Sequence, residues 1–421
     1  MKNQLLLNIS GNVVSTFICL LVIGSLLFIN ACSDSDDDAE RTLQIGVLAP
    51  LTGSLSSTGE SGVAAISLAL DDVNQYLENS ESQLKVSLDV RDDQTDTAAA
   101  LQHLKDFHEK GIRFVIGPYT SANAAAVLNY ANQNGMILLS PSSVATTLSI
   151  PDDNLFRLIP DDQSQAEAIA ALFNYDNVDH IIPIVRSDVW GDGLINNVSE
   201  LMTQQGKTLI TPIRYDPSNV NTTAIISQVA LDINETLQQV PAARTAVYLL
   251  SFAEGTSILS AAAATPDASL VRWYGSSAYA TNSSLILNSD ASAFAFQQSL
   301  RCPIFAPDAA AKDLWQPIVD ELENQLGRVP ESYALSSYDA VWLMALAYKD
   351  SANPDDLGSF KTSLTQTAGI FYGITGRTAL KEAGDRKFAT LGLLGLSFDN
   401  NVYSWKEYGN YSNSSGQLVI Y

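Results

Sequence analysis

Short runs rich in isoleucine, valine and leucine alternate along the chain with longer, alanine-rich amphipathic stretches. The short runs predict strands over residues 43–48, 84–90, 113–117, 136–140, 155–159, 180–186, 208–214, 246–250 and 271–274. The longer stretches predict helices over residues 60–79, 97–110, 121–134, 161–173, 191–205, 221–239 and 253–265. Because strands and helices alternate, the pattern predicts an α/β fold of parallel sheets with helices on both faces.

The alternation is interrupted at residues 156–162, where one series of strands and helices ends and a second series begins. After the second series, the pattern predicts two long helices over residues 314–326 and 332–350, and strands in the tail from residue 388. We therefore expect two α/β halves. In such folds, ligands bind at the carboxyl ends of the strands, where the helix N-termini point.

Residues 1–40 have the pattern of a targeting segment followed by a tether. Lys2 precedes an apolar run over residues 17–29, which is short for a membrane span and suits the core of a signal peptide. The segment Ile29-Asn30-Ala31-Cys32 then resembles a bacterial lipobox, in which the cysteine is lipidated and becomes the new N-terminus. We expect a lipoprotein signal peptide over residues 1–31, a lipid on Cys32 and an acidic tether over residues 32–40. An uncleaved anchor helix over residues 13–31 is the alternative.

Acidic side chains outnumber basic ones: Asp and Glu total 46, Lys and Arg total 23, and the 421-residue chain has a formal net charge of −23. A chain this acidic repels phosphate backbones, which argues against nucleic acid as a partner. The three histidines lack metal-ligand spacing, and Cys19, Cys32 and Cys302 leave no plausible internal disulfide. The motifs of serine hydrolases, P-loop proteins and zinc proteases are also missing, so the sequence predicts no enzyme, no metal and no cofactor.

Several short segments, taken in order, resemble one family of proteins. They are IGVLAPLTG at 45–53, DDQ at 92–94, FVIGPYTS at 114–121, ILLSPSS at 137–143, WGDG at 190–193, QPIVD at 316–320, YDA at 338–340 and GITG at 373–376. In this order and spacing, the chain resembles a type I periplasmic binding protein of the leucine/isoleucine/valine-binding branch, which serves ABC transporters. The order and spacing carry the resemblance, since no single segment is specific to the family.

The resemblance implies two doubly wound, Rossmann-like lobes that are joined by three hinge crossovers and close on a small ligand without changing it chemically. Lobe 1 is expected to comprise residues 41–158 and 303–386, and lobe 2 residues 159–302 and 387–421. The implied ligand is an amino acid or a related carboxylate, which the protein would deliver to an ABC permease while its lipid holds it at a membrane of the cell envelope.

A non-transport lipoprotein on the same fold is the alternative function, either as a ligand sensor or as a partner of cell-wall synthesis enzymes. Ser33 rather than aspartate follows Cys32, an arrangement that in Gram-negative lipoproteins favours export to the outer membrane. The acidic run after it resembles the surface-export signal of some bacterial lipoproteins, with a plain solvated linker as the alternative. An importer's binding protein must reach the inner membrane, so export to the outer membrane would favour the alternative.

The resemblance also implies which residues contact the ligand. Ser121 matches a serine that binds a ligand carboxylate; because it follows a strand and begins a helix, it is also expected to be the N-cap of that helix. Ser142 and Ser143 follow the next strand and offer hydroxyl and N–H groups to the same crevice. The other candidates for the cleft are Thr58, Tyr119, Trp190 and Phe252, with Tyr279 and Tyr338; core packing is the alternative for Trp190 and Phe252.

An amino acid ligand also requires an acidic partner for its ammonium group, because a buried unpaired charge is costly. In the leucine-binding pattern this acid follows the strand near residue 274, and the matching residue here is Ser277, which is neutral. Glu254 follows the preceding strand and is the candidate substitute. Its competing role is a capping box, in which it would accept a hydrogen bond from the N–H of Ser251.

Overall fold

The computed structural model describes residues 41–421. The predicted signal peptide, the lipidated Cys32 and the acidic tether lie outside the described residues. The strands are β1 Arg41–Ala49, β2 Leu84–Asp92, β3 Phe114–Ile116, β4 Ile137–Ser140, β5 Leu155–Arg157, β6 His180–Arg186, β7 Thr208–Leu209, β8 Ile213–Tyr215, β9 Thr245–Leu250, β10 Arg272–Gly275, β11 Cys302–Ala306, β12 Tyr372–Gly373, β13 Gly376–Arg377, β14 Thr390–Asp399, β15 Val402–Ser412 and β16 Gln417–Ile420. The helices are α1 Ser56–Asn79, α2 Thr97–Glu109, α3 Ser121–Gln133, α4 Asp162–Tyr175, α5 Val189–Gln204, α6 Thr222–Leu237, α7 Gly255–Ala263, α8 Ser283–Leu287, α9 Ser289–Gln297, α10 Lys312–Leu326, α11 Tyr333–Asp350 and α12 Leu357–Ile370.

Five parallel strands form the first sheet, in the order β2-β1-β3-β4-β5. Successive side chains of a strand point to opposite faces of its sheet. Ile45 and Val47 therefore pack into one buried cluster with α1, α11 and α12, whereas Leu48 and Val115 pack into another with α2 and α3. Both faces of the sheet are thus covered by helices, and these elements form lobe 1.

The second sheet is also parallel, in the order β10-β9-β6-β7 with β8 beside β6. A third, antiparallel sheet of β11, β14, β15 and β16 continues it through a bridge between Tyr274 and Arg301. Two buried clusters, centred on Ile184 and Val185 of β6, fill the two faces of the second sheet. These elements form lobe 2.

The chain passes between the lobes three times: after β5, after β11 and before β14. Buried polar contacts tie the first crossover to the third. Arg157 Nε donates to Asp385 Oδ1 at 2.6 Å, and both side chains are at most 1% exposed. Arg386 Nη1 donates to the carbonyl oxygen of Leu158 at 3.0 Å. The hinge is therefore held by buried charges whose hydrogen bonds are made across the crossovers.

The predicted α/β fold with parallel sheets and two lobes is confirmed, while the lobe boundaries stay predictions. Strand β6 has the predicted bounds, and the β-rich tail corresponds to β14 to β16. The prediction of one continuous strand over residues 208–214 is wrong, because the segment divides into β7 and β8. Pro212 lies between them and lacks the N–H group that a continuing ladder requires.

Candidate functional site

A cleft lies between the two lobes at the carboxyl ends of strands from both parallel sheets. The residues that line it are Leu55, Thr58, Tyr119, Thr120, Ser121, Ser142, Val144, Trp190, Phe252, Ser277, Ala278, Ala280, Glu331 and Tyr333. Seven of the eleven cleft candidates named from the sequence are among them. Ser143 and Glu254 do not line the cleft, and neither do Tyr279 and Tyr338.

The start of helix α3 brings Ser121 to the cleft. Thr120 has extended backbone angles and is the N-cap, since its hydroxyl accepts a hydrogen bond from the N–H of Asn123 at 3.1 Å. The prediction that Ser121 is the cap is therefore wrong by one residue. Ser121 Oγ instead accepts from the N–H groups of Val144 at 3.1 Å and Ala145 at 3.0 Å. Because both of its acceptor positions are used, the Ser121 hydroxyl has one proton left to donate to a ligand oxygen.

The loop after β4 forms the next part of this wall. Ser140 Oγ donates to the carbonyl oxygen of Pro118 at 2.6 Å and accepts from the N–H of Ser143 at 3.0 Å. Ser142 Oγ donates to the carbonyl oxygen of Tyr119 at 2.6 Å, so this hydroxyl proton already has a partner. The hydroxyl of Ser143 is buried and has no hydrogen-bond partner among the described residues, which leaves it the freer donor of the two.

Two aromatic rings from lobe 2 form the opposite wall. The ring centroids of Trp190 and Phe252 are 5.0 Å apart with planes tilted by 35°. The guanidinium carbon of Arg186 lies 4.1 Å from the centroid of Phe252, a geometry that a cation–π interaction favours. Both rings are almost fully buried, yet both line the cleft. They therefore belong to the core of lobe 2 and to the cleft wall at once.

Glu254 lies behind this wall. Its Oε1 accepts from Arg186 Nη1 at 2.6 Å, from the Tyr215 hydroxyl at 2.9 Å and from the N–H of Phe252 at 3.1 Å. The predicted capping box is not formed, because Glu254 accepts from Phe252 rather than from Ser251, and it makes no side-chain cap at α7. Arg186 is shared between Glu254 and Asp188, and Glu254 Oε2 is buried without a hydrogen-bond partner among the described residues. The contacts of Oε1 with Arg186 and Phe252 place Glu254 to fix the position of the aromatic wall.

A second acid, which the sequence analysis missed, lies beneath Ser277. The N–H of Ser277 donates to Gln165 Oε1 at 2.6 Å, and Gln165 Nε2 donates to Asp162 Oδ1 at 2.8 Å. The other carboxylate oxygen of Asp162, Oδ2, is buried without a hydrogen-bond partner among the described residues. Burial raises the pKa of Asp162 to about 7, although the hydrogen bond from Gln165 and the charge of Arg157 act in the opposite direction.

A small side cavity leads from the cleft toward this acid. Val144, Ser277 and Tyr333 line both spaces, and Asp161, Asp162 and Gln165 line the side cavity alone. The sequence could have indicated this acid. Asp161 and Asp162 follow strand β5 at the interruption of the pattern, and polar residues at strand ends lie near the ligand site in such folds.

Within residues 41–421, no group of three or more His, Cys, Asp or Glu side chains is arranged to hold a metal ion. Within the same residues, no helix has both the length and the apolar composition needed to cross a membrane.

Residues 63–398 match the family model described as the receptor family ligand binding region. The chain is also 26% identical over 397 residues to an uncharacterized protein of Methanocaldococcus jannaschii, a match that covers 90% of this chain and 92% of the archaeal protein. A Leu/Ile/Val-binding protein of Rhizobium johnstonii is 26% identical over 193 residues, which are 45% of this chain and 52% of that protein. The match therefore spans only about half the length of this bacterial relative.

Solved structures share the fold over most of the chain. The branched-chain amino acid transporter substrate-binding protein LivJ of Streptococcus pneumoniae, solved in complex with isoleucine, superposes with a TM-score of 0.67. The match covers 87% of this chain and 99% of LivJ at 19% sequence identity. The likeness identifies a type I periplasmic binding protein fold.

Proposed function

The chain belongs to the family of receptor ligand-binding regions and is a type I periplasmic binding protein, and from this premise we propose that it captures an amino acid or a related carboxylate for an ABC importer. The family and the fold are those of solute-binding proteins, so no reaction is assigned to the cleft. The observation that carries the proposal is the placement of two complementary groups in adjoining spaces: the start of α3 for a carboxylate and the buried Asp162 for an ammonium group.

The carboxylate subsite is supported by the start of α3. Free N–H groups and the helix dipole make a helix N-terminus favourable for an anion. Ser121 adds a hydroxyl whose proton is available, and the buried hydroxyl of Ser143 lies in the adjoining loop. Lobe 1 thus holds the ligand's carboxylate before the lobes close.

The ammonium subsite is supported by Asp162 in lobe 2. A carboxylate buried with one unpaired oxygen is costly, and an ammonium group would supply both the missing donor and the opposite charge. Ser277, where the family has an acid, lines both the cleft and the side cavity at this carboxylate. Trp190 and Phe252 would pack against the rest of the ligand.

A ligand held in this way connects the two lobes. Its carboxylate contacts lobe 1 and its ammonium group contacts lobe 2, so it makes its full set of contacts only when the lobes are close together. Such a ligand shifts the population toward the closed state by the difference between its affinities for the two states. An importer could then recognise the closed form as the loaded one.

Ser121→Ala is expected to weaken ligand binding by about 1–2 kcal/mol, because it removes the donor to the carboxylate and frees the N–H groups of Val144 and Ala145. Isothermal titration calorimetry measures the change. Ser363→Ala is the matched control, since Ser363 is also buried but donates to the carbonyl oxygen of Ala347, away from the cleft. An affinity loss no larger than that of the control would assign Ser121 a purely structural role.

A thermal-shift screen of residues 41–421 tests the proposed function. The ligands are free amino acids, organic acids, primary amides, amines and neutral sugars. Amino acids are expected to raise the unfolding temperature most, because only they offer a carboxylate and an ammonium group together. A screen in which sugars or amines stabilise the protein, and no amino acid does, would contradict the proposal.

The lipid on Cys32 and the destination of the protein belong to this proposal as well. The lipobox-like segment supports anchoring to a membrane of the envelope. Ser33 supports the second candidate, a ligand sensor or cell-wall synthesis partner at the outer membrane. Fractionation of the two membranes distinguishes them: recovery in the inner membrane favours the importer, and recovery in the outer membrane favours the second candidate.

A further inference from the structure

Glu331 is the only charged side chain among the described residues that line the cleft. It precedes helix α11 of lobe 1 and is 4% exposed. The other lining residues include apolar and aromatic side chains, among them Leu55, Trp190 and Phe252. A carboxylate in such surroundings has lost most of its hydration, which is costly unless hydrogen bonds replace it.

Three groups of lobe 1 partly replace that hydration. The hydroxyls of Ser57 and Ser61, both on α1, donate to Glu331, and Arg328 Nη1 donates to its Oε2 at 2.9 Å. Oε1 has only the Ser57 hydroxyl as a donor among the described residues, although a carboxylate oxygen accepts two hydrogen bonds or more. Glu331 therefore has room for one more donor.

The charge around Glu331 is also unbalanced. Arg328 Nη2 donates to the exposed Glu60 at 2.9 Å, so one arginine is shared between two carboxylates. The cluster of Glu60, Arg328 and Glu331 carries a net charge of −1. A cation near Glu331 would balance this charge, and aromatic rings line the same cleft, whose faces attract cations.

An aliphatic ligand side chain would fit poorly beside Glu331. Closing the lobes over a leucine-like side chain would remove the remaining water from Glu331 and return no donor to it. A side chain that ends in an ammonium or guanidinium group would return both the donor and the charge, and its methylene groups could pack on the apolar wall.

We propose that Glu331 makes the cleft selective for amino acids with a basic side chain. This inference rests on the proposed function, since it identifies the side chain of the same amino acid ligand. In this arrangement the ligand's carboxylate is bound at the start of α3, its α-ammonium group faces Asp162, and its cationic terminus faces Glu331. This selectivity differs from the binding of Leu, Ile and Val after which the Rhizobium johnstonii relative is named.

The test is calorimetric titration of residues 41–421 with arginine, lysine, glutamine and leucine. Arginine or lysine is expected to bind at least tenfold more tightly than glutamine or leucine. In Glu331→Gln this preference is expected to fall by about tenfold or more, because the charge is lost while the shape is kept. Glu60→Gln is the matched control: it removes a charge that shares the same Arg328, but Glu60 does not line the cleft.

The outcomes separate this inference from the proposed function. Tight binding of leucine or glutamine without a preference for basic ligands would overturn the inference and leave the proposed function standing. Binding of no amino acid at all would overturn both. If the preference for basic ligands fell equally in the Glu331 and Glu60 variants, the inference would also be overturned. The preference would then come from the negative potential of this region and not from contact with Glu331. The order of the four ligand affinities in the unsubstituted protein tests the inference even if Glu331→Gln fails to fold.

Discussion

Asp162→Asn is expected to weaken the binding of an amino acid by about ten- to a hundredfold. A charge-assisted hydrogen bond contributes about 1.5–3 kcal/mol, and asparagine keeps the shape of the side chain while removing its charge. The loss should be confined to ligands that carry an ammonium group, because Asp162 has no part in the carboxylate subsite. Calorimetric titration with an amino acid and with its amine-free analogue measures this selectivity.

The pH dependence of binding provides a second test of the role of Asp162. With a pKa of about 7 in the ligand-free protein, Asp162 is protonated at pH 5 and must lose its proton to face an ammonium group. The association constant should therefore fall about tenfold for each pH unit below 7 and level off above it. The ligand-free fold should show the opposite trend, since a pKa raised above the unfolded value of about 3.9 favours the folded state at low pH. Asp162→Asn should remove the trend in binding and weaken the trend in stability, to which Asp93 and Asp153, with pKa values raised by burial to about 6, also contribute.

Glu254→Gln is the comparison variant, since Glu254 was the candidate substitute for the missing acid in the sequence, with helix capping as its competing role. It is paired with Arg186 behind the aromatic wall, so its loss should weaken amine-bearing and amine-free ligands alike. Selective loss of amine-bearing ligands in the Glu254 variant, with the Asp162 variant unaffected, would reverse the assignment of the two acids.

Arg157→Ala is expected to lower the free energy of unfolding by about 3–5 kcal/mol. Arg157 is fully buried at the first crossover, and its removal leaves the carboxylate of Asp385 buried without its cation. The same guanidinium donates to the carbonyl oxygen of Ala145 at 2.8 Å and to Ser149 Oγ at 2.8 Å. Urea unfolding followed by circular dichroism measures the loss, and ligand affinity should fall too because the loop at Ala145 holds Ser121.

Two further variants test whether the loss of stability comes from the unpaired buried charge. Arg214→Ala removes an exposed ion pair with Asp192 and should cost less than about 1 kcal/mol. Replacing Arg157 with methionine and Asp385 with leucine together should recover part of the stability, because no unpaired charge remains. If Arg157→Ala cost no more than Arg214→Ala, the hinge would not depend on the buried pair.

The regular alternation of apolar and amphipathic segments was sufficient to predict the parallel sheets. Strand β6 was predicted to the residue because its seven residues are nearly all apolar and buried. Helices α8 and α9 were not predicted, since the segment is rich in serine and asparagine and its limits depend on local caps. The side chain of Asn288 caps α9 by accepting from the N–H of Ala291 at 3.0 Å. Such caps are visible in a sequence only once the helix is known.

The site was predictable where it depends on strand ends and less so where it depends on tertiary packing. Ser121 and Ser142 follow strands of one sheet, so their meeting follows from the topology. The role of Glu331 depends on serines of α1 that lie about 270 residues earlier in the chain. Asp162 shares an unpartnered carboxylate oxygen with several other buried acids; its position beside the cleft distinguishes it, and no local pattern encodes that position.

One calorimetric experiment tests the central claim, that the cleft binds a carboxylate on lobe 1 and an ammonium group on lobe 2. The ligands are the amino acid that stabilises the protein most, its 2-hydroxy acid and its primary amide. The account predicts that each analogue binds at least tenfold more weakly than the amino acid, because each lacks one of the two groups. An analogue without the amine that binds as tightly as the amino acid would contradict the ammonium subsite, and an equally tight amide would contradict the carboxylate subsite.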